Sequence, residues 1–342
     1  MASFWNGSEG LVRVRAALAR LPGQAAFWLK AFSQPTIDLT LRTHTGLQTR
    51  IVESPGLSLS QEDLDALVAD LRTVAGKTLP AGSLTYGIFS GERERLSRAI
   101  VTLIREEATS RPIAFNALSV MPVELDGEPQ EVTHLGLVMV DPEVQGQGLS
   151  WVLYGLTTLV LFARDGFRPK WISNVTQVPA VFGMVCDTFS NVFPSPEAAA
   201  RQSFAHLQLA RGIMRDHRAV FGVGDEAGFD EARFVITDAY TGGSDALKKS
   251  YEVAPKHRDE HYNSFCEREL DYARGDDVLQ LGRVDLAGAR RYLQREVPAG
   301  SWPSLLAASA VLALQRLVLP VFHWMDDTRS FGSLRPRQGS GR

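Results

Sequence analysis

The residues with the clearest chemistry lie in one short stretch. An apolar run ending in Val138-Met139-Val140-Asp141-Pro142 is followed by Gln145-Gly146-Gln147-Gly148-Leu149-Ser150, and then by an apolar helical run from Leu149 to Ala163. Strand, glycine turn and helix in that order point successive backbone N–H groups at one spot. Glycine lets the backbone approach an oxyanion with no Cβ in the way, and the unpaired N–H groups of a first helical turn, aided by the helix dipole, bind a pyrophosphate. Glycines alone also fit a ligand-free connection between strand and helix. His134, earlier on the same strand, titrates near neutrality and can take up a proton; a strand-start histidine with a structural hydrogen bond is the other reading.

The elements that must position these residues follow from periodicity and punctuation. Residues 9 to 32 read as one or two helices broken at Pro22-Gly23, and TIDLTLRTHTGLQTRIVES alternates around a Thr-Gly turn as a hairpin. Ser60, with Glu62 and Asp63 behind it, starts an amphipathic helix through Leu64, Leu67, Val68 and Leu71. The spacing of Leu96, Ile100, Leu103 and Ile104 predicts another helix between Glu92 and Ser110. PIAFNALSVMPVEL and EVTHLGLVMVDP read as two strands joined at Asp126-Gly127-Glu128, WISNVT as a strand, Pro179 to Cys186 as a short helix and Phe204 to Phe221 as a longer one. ARFVITDAY and DDVLQLGRVD read as two late strands separated by a polar insert.

Gln145-x-x-Gly148-x-Ser150 after a strand ending Val140-Asp141-Pro142 resembles motif A of the GNAT superfamily of N-acetyltransferases, Q/R-x-x-G-x-G/A, with Ser150 where Gly or Ala is usual. The resemblance covers roughly Glu94 to Phe193, under a third of the chain. It implies an α/β fold with a central mixed, mostly antiparallel sheet flanked by helices, and an acyl-CoA cosubstrate whose acyl group, acetyl or longer, passes directly to an amine. By resemblance, backbone groups of Val138, Met139 and Val140 hold the pantetheine arm, and Gln145, Gly146, Gln147, Gly148, Leu149 and Ser150 hold the pyrophosphate. WISNVT takes the place of the strand that splays away to admit the thioester, so Ser173 or Asn174 lines the cleft, with Asn174 a catalytic as well as a cofactor-binding candidate. His134 stands where such enzymes place a Glu or His base, with Glu131 and Glu124 as weaker substitutes.

The chain departs from the family at the general acid. In the register set by Gln177 and Ala180, Met184 occupies the position of the usual Tyr, and methionine cannot donate a proton. Cys186, Thr176 or water would protonate the thiolate, or it leaves unassisted; Cys186 itself reads as a packed residue. Met184 also motivates a reading from a different class, a catalytically silent CoA-binding sensor or scaffold. The apolar segments at both ends motivate a third, transfer of a fatty or biosynthetic acyl group to a peptide or natural-product amine.

Composition limits the rest. The 342 residues carry a formal charge of −3, which offers no net attraction to nucleic acid. Two cysteines 80 positions apart supply neither a disulfide framework nor a CxxC pair, and no His, Asp or Glu cluster has ligand spacing, so no metal is expected. A cytoplasmic compartment fits the cysteine usage and the charge-interrupted amino terminus. No GxSxG or GxGxxG occurs.

Trp302 to Met325 is the one stretch that resembles a membrane span, but Gln315-Arg316 interrupts it. It reads as a buried or partly buried helix; a membrane-surface helix, a subunit interface and a wall for an acyl chain stay open, so no integral span is expected. The resulting division is an extension over 1–85, a core over 86–295 with an insert around 240–275, an apolar helix over 296–328 and a disordered tail over 329–342. The acceptor is a small-molecule or peptide amine, and the sequence does not fix it.

Overall fold

The long strand pair at the centre of the chain sets the geometry of everything around it. The computed structural model describes residues 25–42, 46–80, 87–147, 149, 151–297 and 301–325. The expected helix before residue 25, the tip of the first hairpin, Gly148, Ser150 and the tail lie outside the described residues.

Helix α1 covers 25–33, and strands β1 (Asp38–Arg42) and β2 (Leu47–Glu53) form the expected hairpin. After the short α2 (Pro55–Ser58), helix α3 (Gln61–Ala75) starts where its cap predicts: Ser60 Oγ accepts from the Asp63 N–H at 3.1 Å. The helix expected between Glu92 and Ser110 is instead the short α4 (Arg93–Leu96) followed by strand β3 (Ala99–Glu106). Six consecutive buried residues open β3. Both of its faces are covered, so no alternation shows, and its β-branched residues fit the sheet.

Strands β4 (Pro112–Leu125) and β5 (Glu128–Val140) follow, then α5 (Thr157–Arg164), β6 (Lys170–Thr176), α6 (Pro179–Thr188), β7 (Ser190–Phe193) and α7 (Phe204–Asp216). The late elements are β8 (Gly228–Asp230), β9 (Val235–Thr237), α8 (Glu260–Glu269), β10 (Asp277–Val284), α9 (Leu286–Glu296), α10 (Trp302–Ala313) and α11 (Leu319–Met325). The last two are joined through a π-helical segment, Leu314–Val318.

Among the described residues ten strands make one sheet, ordered β1-β2-β3-β4-β5-β6-β10-β9-β8, with β7 beside β10. The early hairpin is therefore part of the central sheet, and α3 packs on that sheet through Leu64, Leu67 and Leu71 against Val101, Leu103 and Phe115. The same face carries α7, whose Leu209 and Ile213 meet Met121, Val132 and Leu281. On the other face α1, α5 and α10 cover Ile51, Ile100, Leu135 and Ile172.

Every pairing in the sheet is antiparallel except β5 with β6, which run parallel through three residue pairs only: Val132 with Trp171, Thr133 with Ile172 and His134 with Ser173. Beyond His134 the two strands part. The parting coincides with a bulge, since the β4–β5 register shifts between Ala117 paired with Leu137 and Ser119 paired with His134. Gly136 sits in it at φ +59°, and a Cβ there would run into the Ala117 carbonyl. Gly136→Ala is expected to lower stability by about 2–4 kcal/mol through backbone strain and collision. Equilibrium urea unfolding measures it, and a loss below about 0.5 kcal/mol would show that the bulge can relax.

Candidate active site

The turn after β5 is held from below by charge. The Asp141 carboxylate, 1% exposed, accepts from the Glu143 N–H at 3.0 Å and lies 3.1 Å from Arg111 Nη1 and 3.9 Å from Lys77 Nζ. Arg111 also pairs with Glu106 at 2.8 Å and Glu143 at 2.9 Å. Hydrogen bonds from Arg111, then Thr109, hold the Glu106 carboxyl down to about 2. Exposed pairs of this kind add little stability. One guanidinium bonded to three carboxylates nevertheless fixes the strand end against the turn.

Gln145 is extended and Gly146 takes φ +80°, so the backbone reverses where the glycine allows it. Leu149 is buried with Ile104, Ile113, Ala114 and Leu153, and its carbonyl accepts from the N–H groups of Val152 and Leu153 at 3.0 Å each. By helix geometry, the Trp151 N–H just ahead of these two has no carbonyl within the helix. The helix opens with a wide π-helical segment, Trp151–Leu156, before α5. Asn116 Nδ2 on β4 donates to the Leu153 carbonyl at 2.8 Å, and Thr102 Oγ1 lies 2.5 Å from Thr157 Oγ1. The sheet thus grips the wide turn by side chains. Gly148 and Ser150, named as pyrophosphate-binding candidates, lie outside the described residues; Gln145, Gly146, Gln147 and Leu149 form the described part of the turn.

Gly136 to Val140, including the candidates Val138, Met139 and Val140, are all half-buried, and they follow the last residue of β5 that pairs with β6. His134 closes the bottom of this opening. It is 4% exposed, with Nδ1 3.1 Å from Ser173 Oγ and its ring 5.2 Å from that of Phe221. Burial pulls its pKa down to about 4, so the ring is neutral at neutral pH. Asn174 faces the other way. Its Nδ2 donates to Gln280 Oε1 at 3.1 Å, and Gln280 Nε2 donates on to the Phe182 carbonyl of α6 at 3.3 Å. Successive strand residues point to opposite faces, so His134 and Asn174 are on opposite sides of the sheet and are not brought together.

A second polar group at the far end of β6 has no counterpart in the motif. In the orientation that satisfies both ends of its amide, Gln177 donates to the Lys249 carbonyl at 3.2 Å and accepts from the Lys249 N–H at 2.6 Å and Tyr240 Oη at 2.8 Å. Tyr240 Oη also lies 2.8 Å from Asp277 Oδ1. The phenol has one proton. With that proton on Gln177, the contact to Asp277 needs a protonated carboxyl, in keeping with burial of this 6% exposed group, which pushes its pKa up to about 7. The signal in the sequence was a pair of acids, Asp276-Asp277, opening an apolar strand; Tyr240, distant in sequence, gave none.

The remaining candidates take other roles. Glu124 and Glu131 are exposed. Thr176 Oγ1 accepts from the Val178 N–H at 3.0 Å, and burial pushes the Cys186 thiol up to about 12. Met184 packs against the core that includes Val185 and Phe189 and lines a small apolar cavity with Tyr154, Thr158 and Tyr292. Among the described residues no group of three or more His, Cys, Asp or Glu is gathered as for a metal ion.

No family model matches the chain, and no curated protein matches it. Solved structures do. The ribosomal-protein-S5-alanine acetyltransferase from Vibrio fischeri is 16% identical over 40% of this chain and 74% of its own, with a TM-score of 0.28. A ribosomal L7/L12 alpha-N-protein acetyltransferase is 15% identical over 45% and 82%, with a TM-score of 0.28. An acetyltransferase from Trypanosoma brucei is 20% identical over 35% and 75%, with a TM-score of 0.23. The likeness covers less than half of this chain. The mixed, mostly antiparallel sheet with helices on both faces is itself the fold class that the Gln145–Ser150 motif implied.

His134 and Asp277 make opposite contributions to stability against pH. The His134 pKa is lowered by folding, so its contribution is lost as pH falls from about 6.5 toward about 4. The Asp277 pKa is raised, so its contribution is lost as pH rises from about 4 toward about 7. The two largely cancel. In thermal unfolding across this range, Asp277→Asn should make Tm rise with pH relative to the wild type and His134→Gln should make it fall relative to the wild type; parallel curves for all three proteins would refute both assignments.

Proposed function

We propose that the protein is an acyl-CoA-dependent N-acyltransferase that passes an acyl group, acetyl or longer, directly to the amine of a small molecule or peptide. One observation carries the reading: β5 and β6 touch through three residue pairs and then separate, just ahead of the Gly146 turn. An open strand edge of Val138 to Val140 can hydrogen-bond an extended amide-bearing arm, and the turn with its helix N-terminus suits the pyrophosphate of the same molecule. The cosubstrate supplies the activated thioester, and the β5 backbone N–H groups would stabilise its carbonyl oxygen as charge develops.

In this reading the amine nitrogen forms the new C–N bond, the C–S bond breaks, the amine loses a proton and the thiolate gains one. His134 is the candidate acceptor of the amine proton. With its pKa held near 4 the ring is always available but weak, so the acceptor amine's own ionisation sets the neutral-range pH profile. Tyr240, hydrogen-bonded to an Asp277 carboxyl whose pKa is raised to about 7, is a better candidate proton donor to the thiolate than Met184 or the raised Cys186 thiol.

Mass spectrometry of the native protein after incubation with a mixture of short- to long-chain acyl-CoA donors is expected to find one chain-length class retained. Gly146→Ala, which forces a left-handed conformation on a residue with a Cβ, should weaken that retention about fivefold or more. Failure to retain any donor would sink the proposal. His134→Ala and Tyr240→Phe should each lower turnover, read as free thiol released, while leaving donor affinity within about twofold. Slow thioester loss in the wild type with every amine tried would instead support a silent binding module.

A further inference from the structure

The carboxy-terminal helix has two unlike faces. Its inner face is pinned to the body of the protein: Leu305, Ala307, Ala308 and Val311 are buried, Trp28 Nε1 donates to Ser304 Oγ at 3.1 Å and Gln315 Nε2 donates to Ser33 Oγ at 2.7 Å. Arg316, the only charged residue between 301 and 325, turns its guanidinium onto the Ala163 carbonyl at 2.9 Å and over the Phe167 ring. The outer face is apolar. Trp302, Leu306, Leu314, Leu317, Val318, Val321 and Phe322 are each 40–69% exposed. Ser309 between them satisfies its hydroxyl on the Leu305 carbonyl at 2.9 Å. Of the interruption that argued against a span in the sequence, Gln315 is buried, and Arg316, though exposed, is tied by its guanidinium to the end of α5.

Charge adjoins this face. Among the described residues, 286–297 and 301–325 contain four arginines and one acid in a chain whose net charge is −3, so this part of the protein is basic. Arg290 is exposed and lines, with Leu286, Phe167 and Trp302, a groove of about 320 Å³ between α5, α9 and α10; Arg295, five residues further on α9, is also exposed. Glu296 is the exposed acid beside them. An exposed tryptophan and arginines bordering an uncharged helical face are the parts of an interfacial helix, with the apolar side chains in the acyl boundary and guanidinium groups on lipid phosphates.

We propose that the outer face of α10–α11, with Trp302, Leu286 and Arg290, docks the protein on the surface of an anionic lipid bilayer. The helix lies in the plane of the interface and stays packed on α1 and α5 through Trp28, Ser33 and Ala163. It does not cross the bilayer. The 21 residues Trp302–Phe322 are long and apolar enough to span, but a span would break these three hydrogen bonds and carry Arg316 into hydrocarbon at a cost of about 2.5–3.5 kcal/mol or more.

The test does not depend on turnover, so it stands or falls apart from the proposed activity. The purified full chain is sedimented with phosphatidylcholine vesicles, with and without phosphatidylglycerol at about one-third of the lipid. Binding is expected to require the anionic lipid, to weaken as salt rises from about 0.1 to about 0.5 M, and to be reversed by alkaline carbonate. Leu306→Gln with Leu317→Gln should reduce it about tenfold or more, and Arg290→Gln with Arg295→Gln should reduce it less and flatten its dependence on salt. If the leucine pair unfolds the protein, seen as a lost thermal transition, the arginine pair decides. No sedimentation with either vesicle, binding unchanged in both variants, or resistance to carbonate would each overturn the proposal. So would a concentration-dependent dimer that the leucine substitutions dissolve in the absence of vesicle binding, which would make a second copy the occupant.

Discussion

The contact between the Gly136 backbone and the Ala117 carbonyl governs the centre of this molecule. A regular β4–β5 ladder would carry β5 straight to its end, with every later residue shifted to the opposite face. The extra residue at Gly136 turns the strand instead, so that Leu135 faces α5 and α10 while Leu137 and Met139 face α3. Only glycine can take this place, because any Cβ meets backbone that has nowhere to go. The end of the β5–β6 pairing at His134, the half-buried edge from Gly136 to Val140 and the position of the following turn all lie downstream of that one steric fact.

Burial shifts the pKa values of two groups on this sheet in opposite senses. Desolvation lowers the His134 pKa, and it raises that of Asp277 by more than the Tyr240 hydrogen bond lowers it. One sits where the strands separate, and the other stands behind a phenol at the far end of β6. At neutral pH the His134 ring is neutral and the Asp277 carboxyl is near its midpoint. The turn after β5 is built by the opposite device, a partly exposed arginine bonded to three carboxylates, which fixes geometry at little energetic consequence.

The terminal helix shows how a sequence-level objection can dissolve in three dimensions. Gln315 and Arg316 interrupt an apolar run, and in a bilayer they would be costly. On the protein they are the residues that fasten the helix, Gln315 fully buried on Ser33 and Arg316 on a carbonyl at the end of α5. The same helix therefore meets both a polar anchoring rule inside and an apolar rule outside.

The sequence by itself determined the strand, turn and helix around Gly146, the hairpin at 38–53, the cap at Ser60 and the partly buried helix from Trp302, because these rest on local rules: glycine's conformational range, side-chain capping and periodicity. It misjudged β3 as a helix, since a strand covered on both faces loses the alternation that would have marked it. The tertiary structure decided what depends on contacts between distant residues. It separated His134 from Asn174 across the sheet, gathered Gln177, Tyr240 and Asp277 from three segments, and made Gly136 the pivot of the opening. Desolvation and register are sums over neighbours that a chain acquires only when folded, which is why the glycine turn was legible in the sequence and the shifted pKa values of His134 and Asp277 were not.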